Sequence, residues 1–80
     1  MEKMNPTHEL KLVDSHEIGY GRILTILLYW FGMNADLADK IILEVERDGE
    51  AVCYCGEHAE CQRYQEILLL RGIPTRVEKI

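Results

Sequence analysis

WFGMNADLADKIILEVERDGEAVC, residues 30–53, is the stretch whose reading decides the fold. Gly32 ends one helix, because glycine tolerates the left-handed turn past a helix end. Asn34 caps the next by accepting from its free N–H groups, and Asp36 lies near that helix's positive end. Leu37, Ile41, Ile42 and Val45 then form one apolar stripe at helical spacing, with Asp39, Lys40, Glu44, Arg47 and Asp48 off it. Asp48 and Gly49 close this amphipathic helix. Glu50 to Cys55 follows as a strand, with Ala51, Cys53 and Cys55 on one face and Val52 and Tyr54 on the other.

Upstream, Ile18 to Met33 is densely apolar, and Ile23, Leu27, Trp30 and Phe31 share helical spacing. Gly19 and Gly21 weaken its first turn, so the firm helix begins nearer Gly21. Arg22 is its one charged residue, which leaves apolar surface for a second layer or a partner. Ahead of it, Asp14 or Ser15 is the expected cap. Before them, Glu9 to Val13 reads as a strand. Downstream, Gly56 breaks the second strand, and Glu57 to Arg71 reads as a third helix with Cys61, Tyr64, Ile67, Leu68 and Leu70 as its apolar content. Gly72 closes it. Ile73 to Ile80 is a last strand, and Pro74 marks it as an edge strand or a strand beginning. The order is β-α-α-β-α-β. The fold class is α+β: a three-stranded antiparallel sheet packed on one face by three helices. Residues 1–9 form a short flexible lead-in, and residues 10–80 form the domain.

Eighty residues hold one domain with a thin core, and an apolar fraction of 48% is that of a globular chain. A formal charge of −5, with nine scattered Lys and Arg, argues against nucleic acid, which calls for a clustered basic surface. The longest apolar run, Ile26 to Phe31, is far below the ~20 residues of a membrane span. The first ten residues show no signal-peptide pattern, and three cysteines fit reduced thiols better than a disulfide scaffold. A cytoplasmic protein without membrane or cofactor is expected.

Cys53, Cys55, His58 and Cys61 are the sharpest chemical cluster, four potential soft ligands within nine residues. They suffice in kind for tetrahedral zinc. Cys53 and Cys55 would lie about 6.5 Å apart on one strand face, with His58 and Cys61 on the next helical turn. Structural zinc sites pair such a group with a distant second pair, and free cysteine is a frequent core residue, so core filling is the simpler reading. Nothing sets a cysteine beside His8, His16 or His58 as a nucleophile. Glu44, Glu46, Asp48 and Glu50 read as a solvated face. No phosphate-binding loop, dinucleotide glycine pattern or zinc-protease helix occurs, so no enzyme is expected.

Trp30-Phe31-Gly32-Met33, Ala38, Ile41-Ile42-Leu43-Glu44-Val45, Gly49, Ala51-Val52-Cys53 and the Ala59-Glu60 pair resemble the core of the ClpS adaptors. These small proteins attach to a Clp AAA+ unfoldase and pass it substrates for proteolysis. The resemblance runs from Leu10 to Ile80 and implies the same β-α-α-β-α-β fold. It also implies recognition of N-degrons, in which an apolar pocket takes a bulky first side chain and polar groups bind the free α-amine. The family's Asn-Asp-Asp loop falls on Asp14, Ser15 and His16. Asp14 keeps an acceptor there, whereas Ser15 and His16 replace both carboxylates. The family's pocket histidine falls on Glu46, after Val45, and Glu46 still accepts from an ammonium. Its pocket methionines fall on Tyr20 and Ile42, and its Thr-Pro on Ile18-Gly19.

Two readings stay open at this stage. In one, Asp14 and Glu46 still bind an amine, and a pocket built with Tyr20, Ile42 and Val45 reads a different residue. In the other, slightly preferred, the pocket no longer reads N-termini and the chain works by surface docking, because each lost amine partner costs about 1–3 kcal/mol. In that docking, Glu57 matches a family glutamate and Gln62 or Arg63 the place of a family lysine. The family's long N-terminal extension is nearly absent before Leu10, which weighs against active delivery. The expected partners are thus a Clp-type unfoldase and substrates with free N-termini. Self-association through the first helix, which carries Tyr29 and Trp30, is the alternative. A small zinc or thiol protein is the second.

Overall fold

Leu10 and Leu12, two apart on the first strand, are both fully buried, and the core is built on them. The computed structural model describes residues 6–15 and 17–80. Its elements are β1 (His8–Val13), α1 (Tyr20–Trp30), α2 (Ala35–Asp48), β2 (Glu50–Gly56), α3 (His58–Leu70) and β3 (Thr75–Lys79). The sheet order is β2-β1-β3, with both pairings antiparallel. The β-α-α-β-α-β order and the three-stranded sheet are those expected from the sequence. β1 opens at His8, and Thr7 already donates to Gly56 O and accepts from Ile80 N–H. Pro74 stands just ahead of edge strand β3, where its missing N–H breaks no ladder bond.

α2 packs on β2, α3 lies over all three strands, and α1 packs against α2. Ile26 and Leu27 of α1, Ala38, Ile41, Ile42 and Val45 of α2, and Cys61 and Leu68 of α3 close over Leu10, Leu12, Ala51 and Cys53. Phe31 joins α1 to α3 by lying 4.7 Å from Tyr64, which in turn lies 4.5 Å from Tyr54. The apolar stripe of α2 is rotated slightly from its sequence reading. Ala38 is buried in the core and Leu37 is 46% exposed. Leu70 is exposed too, at the very end of α3.

Asn34 caps α2, with its Oδ1 accepting from Leu37 N–H at 2.8 Å. Gly32 and Gly49 follow α1 and α2 at φ of 67° and 88°, a region side-chain-bearing residues avoid. α1 has no such side-chain cap. Gly19 precedes it in extended conformation, and neither Asp14 nor Ser15 reaches its first turn. The sequence reading of those two as caps is therefore corrected, because the loop between them and Tyr20 is too long for one side chain to span.

A second correction concerns β2. The register with β1 slips between Leu10 and Lys11, where Cys53 is the additional residue on β2. A bulge of this kind breaks the alternation of faces. Cys53 is buried, Tyr54 packs towards α3, and Cys55 is exposed on the far face. Ala51, Cys53 and Cys55 therefore do not share a face. That far face, free of helices, carries a charge ladder. Lys11 Nζ lies 2.7 Å from Glu78, 3.3 Å from Glu50 and 3.7 Å from Glu9, while Arg76 pairs with both Glu50 and Glu78.

Candidate N-terminus-binding site

The loop after β1 is held by its main chain. Val13 N–H donates to Pro74 O and Asp14 N–H to Gly49 O at 2.9 Å, which ties the loop to the C-terminal end of α2. Ser15 serves the loop itself: its carbonyl accepts from Ile18 N–H and its Oγ from Glu17 N–H, both at 3.4 Å. The chain then enters α1, whose first residue, Tyr20, reaches across to α2. Tyr20 Oη donates to Asp39 Oδ1 at 2.5 Å. The segment therefore runs alongside α2 from Gly49 back to Asp39, in that helix's second turn.

Along this length α2 offers Asp39, Ile42, Val45 and Glu46. Asp39 and Glu46 are seven residues apart, close to one face and about 10.5 Å apart along the axis. Ile42 and Val45, at 2% and 4% exposure, face the core. Glu46 and Asp14 are exposed, and among the described residues neither carboxylate has a hydrogen-bond or ion-pair partner. Tyr20 feels both ends of the helix face. Its phenol is held above the ordinary tyrosine range first by the hydrogen bond to Asp39, then by partial desolvation, and last by the charges of Asp39 and Glu46.

The structure thus brings Tyr20, Ile42, Val45 and Glu46 to one stretch of α2, with Asp14 anchored at its end. Ser15 turns into its own loop. His16 lies outside the described residues. Asp39 is the participant that sequence reasoning missed. It was read as one more solvated charge off the apolar stripe, and its partner lies nineteen positions away on another helix.

At the far corner, Glu57 caps the start of α3, and Glu60 Oε1 accepts from Glu57 N–H at 3.1 Å. Gly56 must be small here. A Cβ at that position would stand 2.8 Å from Glu60 Oε1 and from Tyr54 Cε2. Glu57, Gln62 and Arg63 are all exposed around this corner.

The cysteine–histidine cluster does not assemble. Cys53 and Cys61 are buried under the helices, Cys55 points from the opposite sheet face, and the His58 ring packs 4.7 Å from that of His8. Among the described residues no group of three or more metal-ligating side chains converges. Burial pushes the Cys53 thiol up to about 12, and burial also raises that of Cys61. Both are packing residues.

The family profile described as ATP-dependent Clp protease adaptor protein ClpS matches residues 16–72. The chain belongs to the ClpS family. Among solved structures it is similar to Agrobacterium tumefaciens ClpS2 bound to L-phenylalaninamide. That match has a TM-score of 0.80 and 16% identity, and covers 95% of this chain and 100% of that one. No curated protein matches the sequence. A family profile spanning α1, α2, β2 and α3 makes the ClpS resemblance a family relation, and the low identity makes this chain a divergent member. The family is one of Clp protease adaptors, which are not catalysts. No helix among the described residues is long and apolar enough to cross a membrane.

Proposed function

We propose that this ClpS-family chain docks on a Clp-type unfoldase through the corner at the start of α3 and carries, beside α2, a remodelled site for substrate N-termini. The observation that supports this most is the α2 face itself. Apolar Ile42 and Val45 are flanked by the carboxylates of Glu46 and Asp14, which have no partner among the described residues, with Asp39 further along. A free α-ammonium attached to an apolar side chain has the complementary chemistry. The A. tumefaciens relative is described with a ligand of that chemistry, an amino-acid amide. Here Glu46 takes the part of amine acceptor in place of a histidine, and Ser15, bonded within its own loop, takes none.

The test is calorimetric titration of peptides that differ only in the first residue, each with an N-acetylated control. Free-amine peptides bind, and acetylation, Glu46→Ala or Asp14→Ala weakens them by about tenfold or more, as expected for a lost charge-assisted bond. Equal behaviour of free and acetylated peptides would refute the pocket and leave docking alone. Docking is checked separately with the N-terminal domain of a Clp unfoldase. Glu57→Lys and Arg63→Glu abolish that binding while leaving peptide titrations unchanged.

A second reading, self-association, draws on one observation. Tyr29, Trp30, Leu69 and Leu70 are all exposed where α1 and α3 end together, and the Arg71 guanidinium lies 4.3 Å over the Trp30 ring. Sedimentation over a hundredfold range of concentration decides it, since a single monomeric species throughout excludes a dimer seam there.

A further inference from the structure

His8 and His58 are the first residues of β1 and α3, and the fold sets their rings 4.7 Å apart with the planes tilted by 46°. The residue opposite His8 on β2 is Gly56, which has no side chain to part the two rings. Both rings are open to solvent: His8 is half-buried and His58 exposed. Neither belongs to the proposed pocket beside α2.

The spacing is that of two imidazoles on one ion. A zinc–nitrogen bond of about 2.0–2.1 Å puts each ring centre about 3.2 Å from the metal. Two such rings stand about 4.5 Å apart when the bonds meet at a right angle, and about 5.2 Å apart at the tetrahedral angle. The observed 4.7 Å lies between these limits. Plain ring contact has a similar spacing, and what separates the two is how His8 is held. Its Nδ1 lies 2.9 Å from Thr7 Oγ1. With Nδ1–H donating to that hydroxyl, the lone pair sits on Nε2, and a partner of this kind is what orients metal-binding histidines. The His58 ring has no hydrogen-bond partner among the described residues, so its nitrogens are open to a ligand.

The geometry points to a divalent transition-metal site held by His8 and His58, with zinc as its ion and water in the remaining positions. Imidazole nitrogen suits zinc, whereas a hard ion such as magnesium takes oxygen ligands. Of the cysteine–histidine cluster read from the sequence, only His58 takes part. The two ligands come from β1 and α3, so the ion cross-links the start of the first strand to the start of the last helix. It stabilises the folded chain by binding that form alone.

The test is titration of zinc chloride into the tag-free full chain, followed by calorimetry and by the histidine ring-proton resonances. One ion binds per chain, and the His8 and His58 signals shift together. His8→Asn and His58→Asn each weaken binding at least about tenfold, and urea unfolding without metal checks that both variants fold. Cys55→Ser and His16→Asn change it by less than about twofold, and magnesium gives no signal. Zinc raises the thermal midpoint of wild type and not that of His58→Asn. Binding that either His8→Asn or His58→Asn leaves within tenfold of wild type overturns the site. So does binding lost with Cys55→Ser, which assigns the ion to a thiol, or equal binding of magnesium, which assigns it to surface carboxylates. No binding at about 1 mM zinc overturns it as well and leaves the two rings as plain contact.

Discussion

Glu57 and Gly19 hold the same position, one residue ahead of a helix, and they border the two proposed binding surfaces. At Glu57 the chain is clamped. Glu60 accepts its N–H, Cys61 N–H reaches its carbonyl at 2.9 Å, and Gly56 is wedged against Tyr54 and Glu60 with no room for a methyl. At Gly19 there is open space, no side-chain cap and no acid in the first turn, and the side-chain hydrogen bond to the neighbouring helix comes from Tyr20. The lesson is a division of labour. The corner proposed for docking on a large partner is capped and closely packed, whereas the corner proposed for small, varied ligands is open and uncapped.

The widest gap to look for is in thiol chemistry. Cys55 is exposed just ahead of the clamped corner, while Cys53 and Cys61 lie beneath it. With a thiol reagent at pH 8, one equivalent reacts promptly and two react at least a hundredfold more slowly, and Cys55→Ser abolishes the fast phase. Three fast thiols would mean that the corner opens readily, and the contrast would be lost. Next in size is Gly56→Ala, which drives a Cβ into the Tyr54 ring and the capping carboxylate. Urea unfolding shows it less stable by about 1–3 kcal/mol. Glu60→Ala removes the cap partner alone and costs about 1 kcal/mol. The smallest effect runs the other way. Gly19→Ser meets nothing within 4 Å and supplies the missing cap, so it stabilises by about 0.5 kcal/mol. A loss there would show that Gly19 is under a constraint the open space does not reveal.

The fold was legible because its punctuation is local. Gly32, Asn34 and Gly49 each act within one turn, and a heptad of sequence around them contains the whole cause. The bulge at Cys53 is not of that kind. It is a property of the pairing with Leu10 and Lys11, and β2 itself carries no glycine at that point to announce it. One slipped residue therefore undid the expected face of Cys55 and, with it, the geometry of the cysteine cluster. The candidate site was legible in part. Ile42, Val45 and Glu46 lie on α2, with Tyr20 of α1 and the Asp14 loop set against that helix. Asp39 was not legible, since a carboxylate on a helix surface looks the same in sequence whether it faces water or a phenol from another helix. Ala38 was passed over for Leu37 for a related reason, because periodicity ranks residues by hydrophobicity, whereas here the smaller side chain is the buried one.

The strand order has a consequence for how this protein is made. β1 is translated first and lies in the middle of the sheet, and its second partner, β3, is translated last. While the ribosome still holds residues 75–79, the growing chain can pair β1 only with β2, and the other edge of β1 stays bare. Leu10 and Leu12 then lack part of their cover, Val77 included. The sheet is completed only after the last strand has left the exit tunnel, so the β1–β3 pairing, the one of longest sequence separation, is the last to form.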